Sequence, residues 1–212
     1  MRICKTEKLI ALVLFLLVLF PASSKAGVAA DQLRQTADKV LLILQDARLK
    51  SADQKQARRE QLRQVISARF DFTEMAKRSL GQNWRQRSAD EQRRFVELFT
   101  ELLERSYADQ IESFNGEKIV YGRDTQENDD AEVDTKIVSK KADEFAVNYR
   151  MHAVDREWKV YDVVIENISL VNNYRSQFNR VLARSSFDDL LRKLQDKAFD
   201  APAKNRQAAL KS

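Results

Sequence analysis

The side chains able to attack, titrate or ligate are few: the sequence holds one histidine and one cysteine. His152 alone could serve as the base of a Ser-His-Asp arrangement. It alternates with Phe145, Val147, Tyr149 and Met151, so the spacing predicts a strand residue facing solvent. Cys4 precedes an apolar run, whereas a lipid-modified cysteine would follow one. Glu127, Asp129 and Asp130 could hold calcium, but between two strands such residues make a solvated turn. No metal and no catalysis are expected. Asp162, set in an apolar stretch, is the acid an enzyme reading would have to use. Arg175 and Gln177 are suited to phosphate, since a guanidinium makes paired hydrogen bonds to it. The bland reading of 173–178 is a joint from sheet to helix with Tyr174 and Phe178 packed inward, and that reading is preferred.

The chain of 212 residues suits one ordinary domain. With 4 Gly and 2 Pro, phosphate loops and turn-dense all-β architectures are disfavoured. Arg2, Lys5 and Lys8 precede the apolar run at 9–20, followed by Pro21 and by Ser24 and Ala26 at cleavage-site spacing. A membrane span needs about 20 apolar residues. The segment therefore predicts a signal peptide, cut after Ala26, ahead of one domain at 27–199 and a flexible tail at 200–212. The leader carries Arg2, Lys5, Lys8 and Lys25 against Glu7. Its removal takes Lys+Arg from 37 to 33, Asp+Glu from 32 to 31 and the net charge from +5 to +2. Nucleic-acid binding loses its electrostatic basis, and Cys4 is lost too. Arg58, Arg59, Arg85, Arg87, Lys140 and Lys141 are read first as solvated, second as steering groups for anionic lipid or an acidic partner.

These residues need elements to hold them. Apolar positions from Asp31 to Leu49 recur at helical spacing, and Ser51 with Gln54 resembles a capping box for a second helix. Asp71 with Glu74 opens a short helix that Gly81 stops. Ser88 with Glu91 opens the longest, whose stripe includes Phe95, Leu98, Phe99, Leu102 and Tyr107. From Lys118 the period falls to two, predicting four antiparallel strands, with hairpin links such as Asp155-Arg156. Helical spacing resumes at Leu170. The order predicts an α+β fold with helices over one face of a curved sheet.

Two blocks of the chain carry a distinctive pattern. One is Phe70-Asp71-Phe72 with Met75-Ala76, Leu80-Gly81 and Trp84, leading into Phe95, Phe99 and Tyr107. The other runs from Trp158-Lys159-Val160-Tyr161-Asp162-Val163 through Ile168-Ser169-Leu170-Val171 to Asn173-Tyr174-Arg175-Ser176-Gln177-Phe178. Together the two blocks resemble the toluene-tolerance family of periplasmic phospholipid-binding proteins; Asn167 stands where that family usually has Gly, and Asn tolerates the left-handed conformation, so the turn is expected to survive. The resemblance implies a fold similar to nuclear transport factor 2, with an apolar cavity for phospholipid as cargo and no cofactor. It further implies passage of lipid between an outer-membrane lipoprotein complex and an inner-membrane ABC transporter with an MCE-domain subunit. Outer-membrane lipid asymmetry would be maintained in this way.

For the lining we nominate Phe95, Phe99 and Leu102 from the long helix, with Val147, Tyr149, Met151, Val160 and Val164 from two strands. Two acyl chains of roughly 32 methylenes gain about 26 kcal/mol on leaving water, at ~0.8 kcal/mol each. A bilayer offers nearly the same gain, so a carrier needs only to match it and strong headgroup chemistry is unnecessary. The rival classes are an enzyme on the same fold and a periplasmic adaptor or chaperone that binds protein.

Overall fold

The computed structural model describes residues 27–114 and 116–199; the expected leader and tail lie outside the described residues. Helix α1 (Val28–Gln45) presents Ala29, Ala30 and Leu33 inward. Its first turn has no side-chain cap of its own; the backbone N–H groups of Gly27 and Ala30 instead donate to the Asp124 carboxylate, each at 3.0 Å. A carboxylate there satisfies orphan donors and complements the helix dipole. Ser51 does not form the expected capping box: its side chain makes no cap bond, and a 3-10 turn (Ala52–Gln54) leads into α2 (Lys55–Arg69). Asp71 does cap α3 (Phe72–Leu80), accepting from the Glu74 N–H at 2.8 Å. At the helix end Gly81 has φ 60° and ψ −131°, a positive φ as expected but outside the left-handed helical basin. Ser88 and Glu91 form a complete capping box on α4 (Ala89–Glu112).

Five antiparallel strands follow in sheet order: β1 (Lys118–Glu127), β2 (Asp130–Val138), β3 (Glu144–Val154), β4 (Glu157–Ile165) and β5 (Ile168–Ser169). The expectation of four is corrected by the two-residue β5, which is too short to leave a period-two signal. Two tight turns have both central residues at positive φ: Asp155 (49°) with Arg156 (68°), and Glu166 (48°) with Asn167 (64°). Asn167 thus supplies the left-handed geometry expected of it. Helices α5 (Leu170–Leu182) and α6 (Phe187–Gln195) are the last elements among the described residues, and 173–178 lies inside a helix rather than at a joint.

Strand β4 carries a bulge. Met151 pairs with Val160 but Arg150 with Asp162, leaving Tyr161 as the extra residue. Cross-strand partners share a face. The inner face therefore carries Val147, Tyr149 and Met151 with Ile165, Val163 and Val160, while Asn148, Arg150 and His152 share the outer face with Val164, Asp162 and Lys159.

Two apolar cores result. One lies among α3, α4, α5 and α6, built on Met75, Leu80, Phe95, Phe99, Tyr174, Phe178 and Leu190. The other joins α1 to the inner face of the sheet through Ala30, Leu33, Val133, Val147, Met151 and Val160. Phe70 and Tyr107 touch both.

Candidate functional site

Apolar side chains on the inner face of the sheet are well covered at one end and poorly covered at the other. Met151, Val133 and Val160 are fully buried beneath α1. Toward the opposite end Ile119, Ile137 and Phe145 form one cross-strand row. Ile119 and Ile137 are half-buried and Phe145 is 37% exposed. A cleft of about 300 Å³ opens between α1 and β1 there, lined by Arg34, Asp38, Leu41, Ile119 and Tyr121. The Arg34 guanidinium lies 4.5 Å from the centre of the Tyr121 ring, placing charge at the rim and apolar surface beneath.

Helix α1 is fastened on one side of this cleft. Besides the Asp124 contacts, the Gln32 side-chain oxygen accepts from the Trp158 N–H at 2.8 Å and from Arg69 at 2.7 Å. All these contacts sit in its first turns; Leu41, Ile43 and Leu44 further along are only half-buried and Leu42 is 69% exposed. The face itself stays uncharged. Burial pushes the Tyr149 hydroxyl up to about 12, with the neighbouring Tyr121 adding to the shift. Burial likewise raises the Tyr121 and Tyr107 hydroxyls. The Thr135 hydroxyl donates to the Val147 carbonyl, so it presents no open donor.

The nominated lining residues do not gather in one place. Phe95, Phe99 and Leu102 lie in the helical core, each at 0% exposure. Phe99 meets Tyr174 and Phe178 edge to face, with ring centres at 5.6 and 6.0 Å. Val147, Met151 and Val160 belong to the sheet core, with Tyr149 half-buried against it. Val164 pairs with Asn148 and is on the outer face. The nomination assumed an unbroken period of two, and the Tyr161 bulge moves everything after it to the other side; Val163, 7% exposed, takes the inner position. Leu41, Ile119 and Tyr121 were missed, although Ile119 and Tyr121 alternate on β1 in register with Ile137 and Thr135.

Groups singled out for chemistry are engaged in structural contacts. His152 does not simply face solvent: on the outer face it is 3.1 Å from an Asp71 carboxylate oxygen and packs edge-on to Tyr161. Asp162, 3% exposed, accepts from the Ser169 hydroxyl at 2.6 Å, the Val171 N–H at 3.1 Å and Arg150 at 3.3 Å, which fixes the start of α5. Glu127, Asp129 and Asp130 are exposed around the β1–β2 turn. Among the described residues no group of three or more His, Cys, Asp or Glu could hold a metal ion. Arg58 and Arg59 both pair with Glu112 of α4, and Arg59 also with Asp109. Their charge is paired within the chain, across α2 and α4. No helix among the described residues is long and apolar enough to cross a membrane.

Comparison with known proteins adds to this geometry. Over 206 residues the chain is 22% identical to the intermembrane phospholipid transport system binding protein MlaC of Haemophilus influenzae, covering 93% of this chain and 96% of that protein. It is 28% identical over 128 residues to the toluene tolerance protein ttg2D of Pseudomonas putida, covering 59% and 58% of the two chains. Its fold is similar to that of a phospholipid-binding protein from Ralstonia solanacearum, solved in complex with a phospholipid. The TM-score is 0.72 at 25% identity, covering 80% of this chain and 96% of that one. The family model for MlaC protein matches residues 34–196, and the chain belongs to the MlaC family.

Proposed function

We propose that this protein binds a phospholipid by its acyl tails, between α1 and the inner face of the sheet, and carries it across the periplasm without catalysis. The observation that carries the reading is the row Ile119, Ile137 and Phe145, apolar surface left open in a chain of this family. The arrangement is in keeping with a cone similar to nuclear transport factor 2, its apolar interior facing the helices. The tails contact Val147, Tyr149, Met151 and Val160 along the face, with Leu41, Ile119 and Tyr121 at the mouth. Phe95, Phe99 and Leu102 support the helical lobe instead.

A volume of about 300 Å³ is at the low end of the ~300–1,000 Å³ usual for small-molecule sites. Two chains therefore require α1 to move away from β1, pivoting about the Asp124 and Gln32 contacts. Because bilayer and cleft solvate tails almost equally, docking on a partner need only bias this opening to move lipid. The partners are an MlaD-like MCE-domain subunit of an inner-membrane ABC transporter and an MlaA-like outer-membrane lipoprotein complex, and directional input comes from the transporter. Export by a cleaved signal peptide completes the proposal.

Protein purified from cells without detergent, extracted with solvent and analysed by mass spectrometry, is expected to yield phospholipid near one molecule per chain. Repeated extracts without phospholipid would reject the carrier reading in favour of a protein-binding adaptor.

A further inference from the structure

A second opening lies on the outer side of the helical lobe. It measures about 890 Å³ and is lined by Gly81, Gln82, Asn83, Arg85, Gln86, Arg175 and Asn179. Leu80, Tyr174 and Phe178, the neighbours of these residues in sequence, point the other way into the helical core. None of its lining residues borders the α1–β1 cleft.

Its electrostatics are one-sided. Neither the 3-10 turn Gly81–Gln86 nor α5 contains an Asp or Glu. Arg78 and Arg87, which flank the turn, each pair with a carboxylate, whereas Arg85 and Arg175, like Arg180 and Arg184 farther along α5 and beyond it, have no acidic partner among the described residues. Arg175 is also aimed. Its Nε donates to the Arg78 carbonyl at 2.8 Å and its stem lies across Gly81, which fixes the guanidinium at the cleft and leaves its two terminal nitrogens for a ligand. Asn83 donates to the Asn179 side-chain oxygen at 3.4 Å, bringing two amides to the same wall. Two guanidinium groups and several amides with no carboxylate form a donor-rich wall suited to tetrahedral oxyanions.

We propose that this cleft is a phosphate-binding site, able to seat the phosphodiester of an anionic lipid at a bilayer surface or free phosphate. As a bilayer contact it would hold the helical lobe against the membrane while leaving the α1–β1 mouth unobstructed. The proposal does not depend on where the tails bind.

The test uses purified protein labelled with nitrogen-15, observing the arginine Nε resonances during titration with inorganic phosphate. In parallel the protein is sedimented with phosphatidylcholine vesicles, with or without phosphatidylglycerol. Arg85→Glu and Asn179→Asp alter exposed positions, and Arg94→Glu on α4 combined with Gln56→Glu on α2, which changes the net charge by the same −3, is the charge-matched control. Phosphate is expected to shift Arg85 and Arg175. Loss of charge-assisted hydrogen bonds in the double variant should weaken binding to anionic vesicles about tenfold, with the control unchanged. A phosphate response with equal vesicle binding by wild type and variant supports the site and assigns it to free phosphate. No phosphate response, together with equal vesicle binding, overturns the proposal. So does binding of a glutamate-rich peptide without a phosphate response, which would make the cleft a protein contact.

Discussion

The helical core and the sheet face use the same kinds of side chain and finish them differently. In the helical core Phe95, Phe99, Tyr174 and Phe178 are all fully buried, with Phe95 and Phe178 edge to face at 5.5 Å. On the sheet face burial is complete under the first turns of α1 and fails toward Ile119, Ile137 and Phe145. A closed aromatic cluster has no volume to give a ligand without losing its own contacts. An open row can exchange water for lipid. Hydrophobicity is common to both regions; closure separates them, and in the proposed function only the open row takes cargo.

Truncation should break this contrast most sharply in the helical core. Phe99→Ala is expected to lower unfolding free energy by about 3–5 kcal/mol, measured by urea denaturation. Phospholipid per folded molecule should be unchanged. Asp162→Ala comes next, at about 2–3 kcal/mol, because the Ser169 hydroxyl and Val171 N–H lose their acceptor. Phe145→Glu should behave oppositely: stability within ~0.5 kcal/mol of wild type, as for other exposed positions, but markedly less phospholipid recovered by extraction.

Acid should loosen the helices before it affects the sheet face. Burial raises the Glu112 carboxyl, but hydrogen bonds from Arg59 and Arg58 outweigh it and hold the group below its ordinary value of 4.5. A carboxylate depressed in the folded state stabilises above its unfolded pKa, and that contribution is lost as pH falls through the folded one. Unfolding midpoints should therefore drop on going below about pH 4.5, and drop less in Arg59→Gln. The smallest effect is expected for Asn167→Gly, within ~0.5 kcal/mol by urea denaturation, because Asn already accepts the positive φ of its turn.

Local signals in the sequence were reliable where the structure they specify is local. Ser88 with Glu91, Asp71 with Glu74 and the Asp155-Arg156 turn each depend on a few neighbouring residues, and each is present. Ser51 and Gln54 matched the same pattern but the backbone turned into a 3-10 segment, which the pattern does not encode. The bulge at Tyr161 arises from pairing with β3 and leaves no mark on β4 alone, so the alternation read along β4 points Val164 inward while the pairing turns it outward. Phe99 and Ile137 are both wholly apolar in sequence; only packing separates a closed core from half-covered surface. The family blocks were legible because they combine helix caps, turns and core positions over more than one hundred residues, and the family match at 34–196 spans them.

The central claim is that lipid tails lie on the inner face of the sheet, which the Tyr161 bulge separates from the outer one within β4. It is tested most directly by photocrosslinking in cells, with a benzophenone side chain placed at Tyr149, on the inner face, or at Val164, on the outer face. Mass spectrometry of the purified protein is expected to show phospholipid attached at 149 and none at 164. Capture at 164 without capture at 149 would contradict the account.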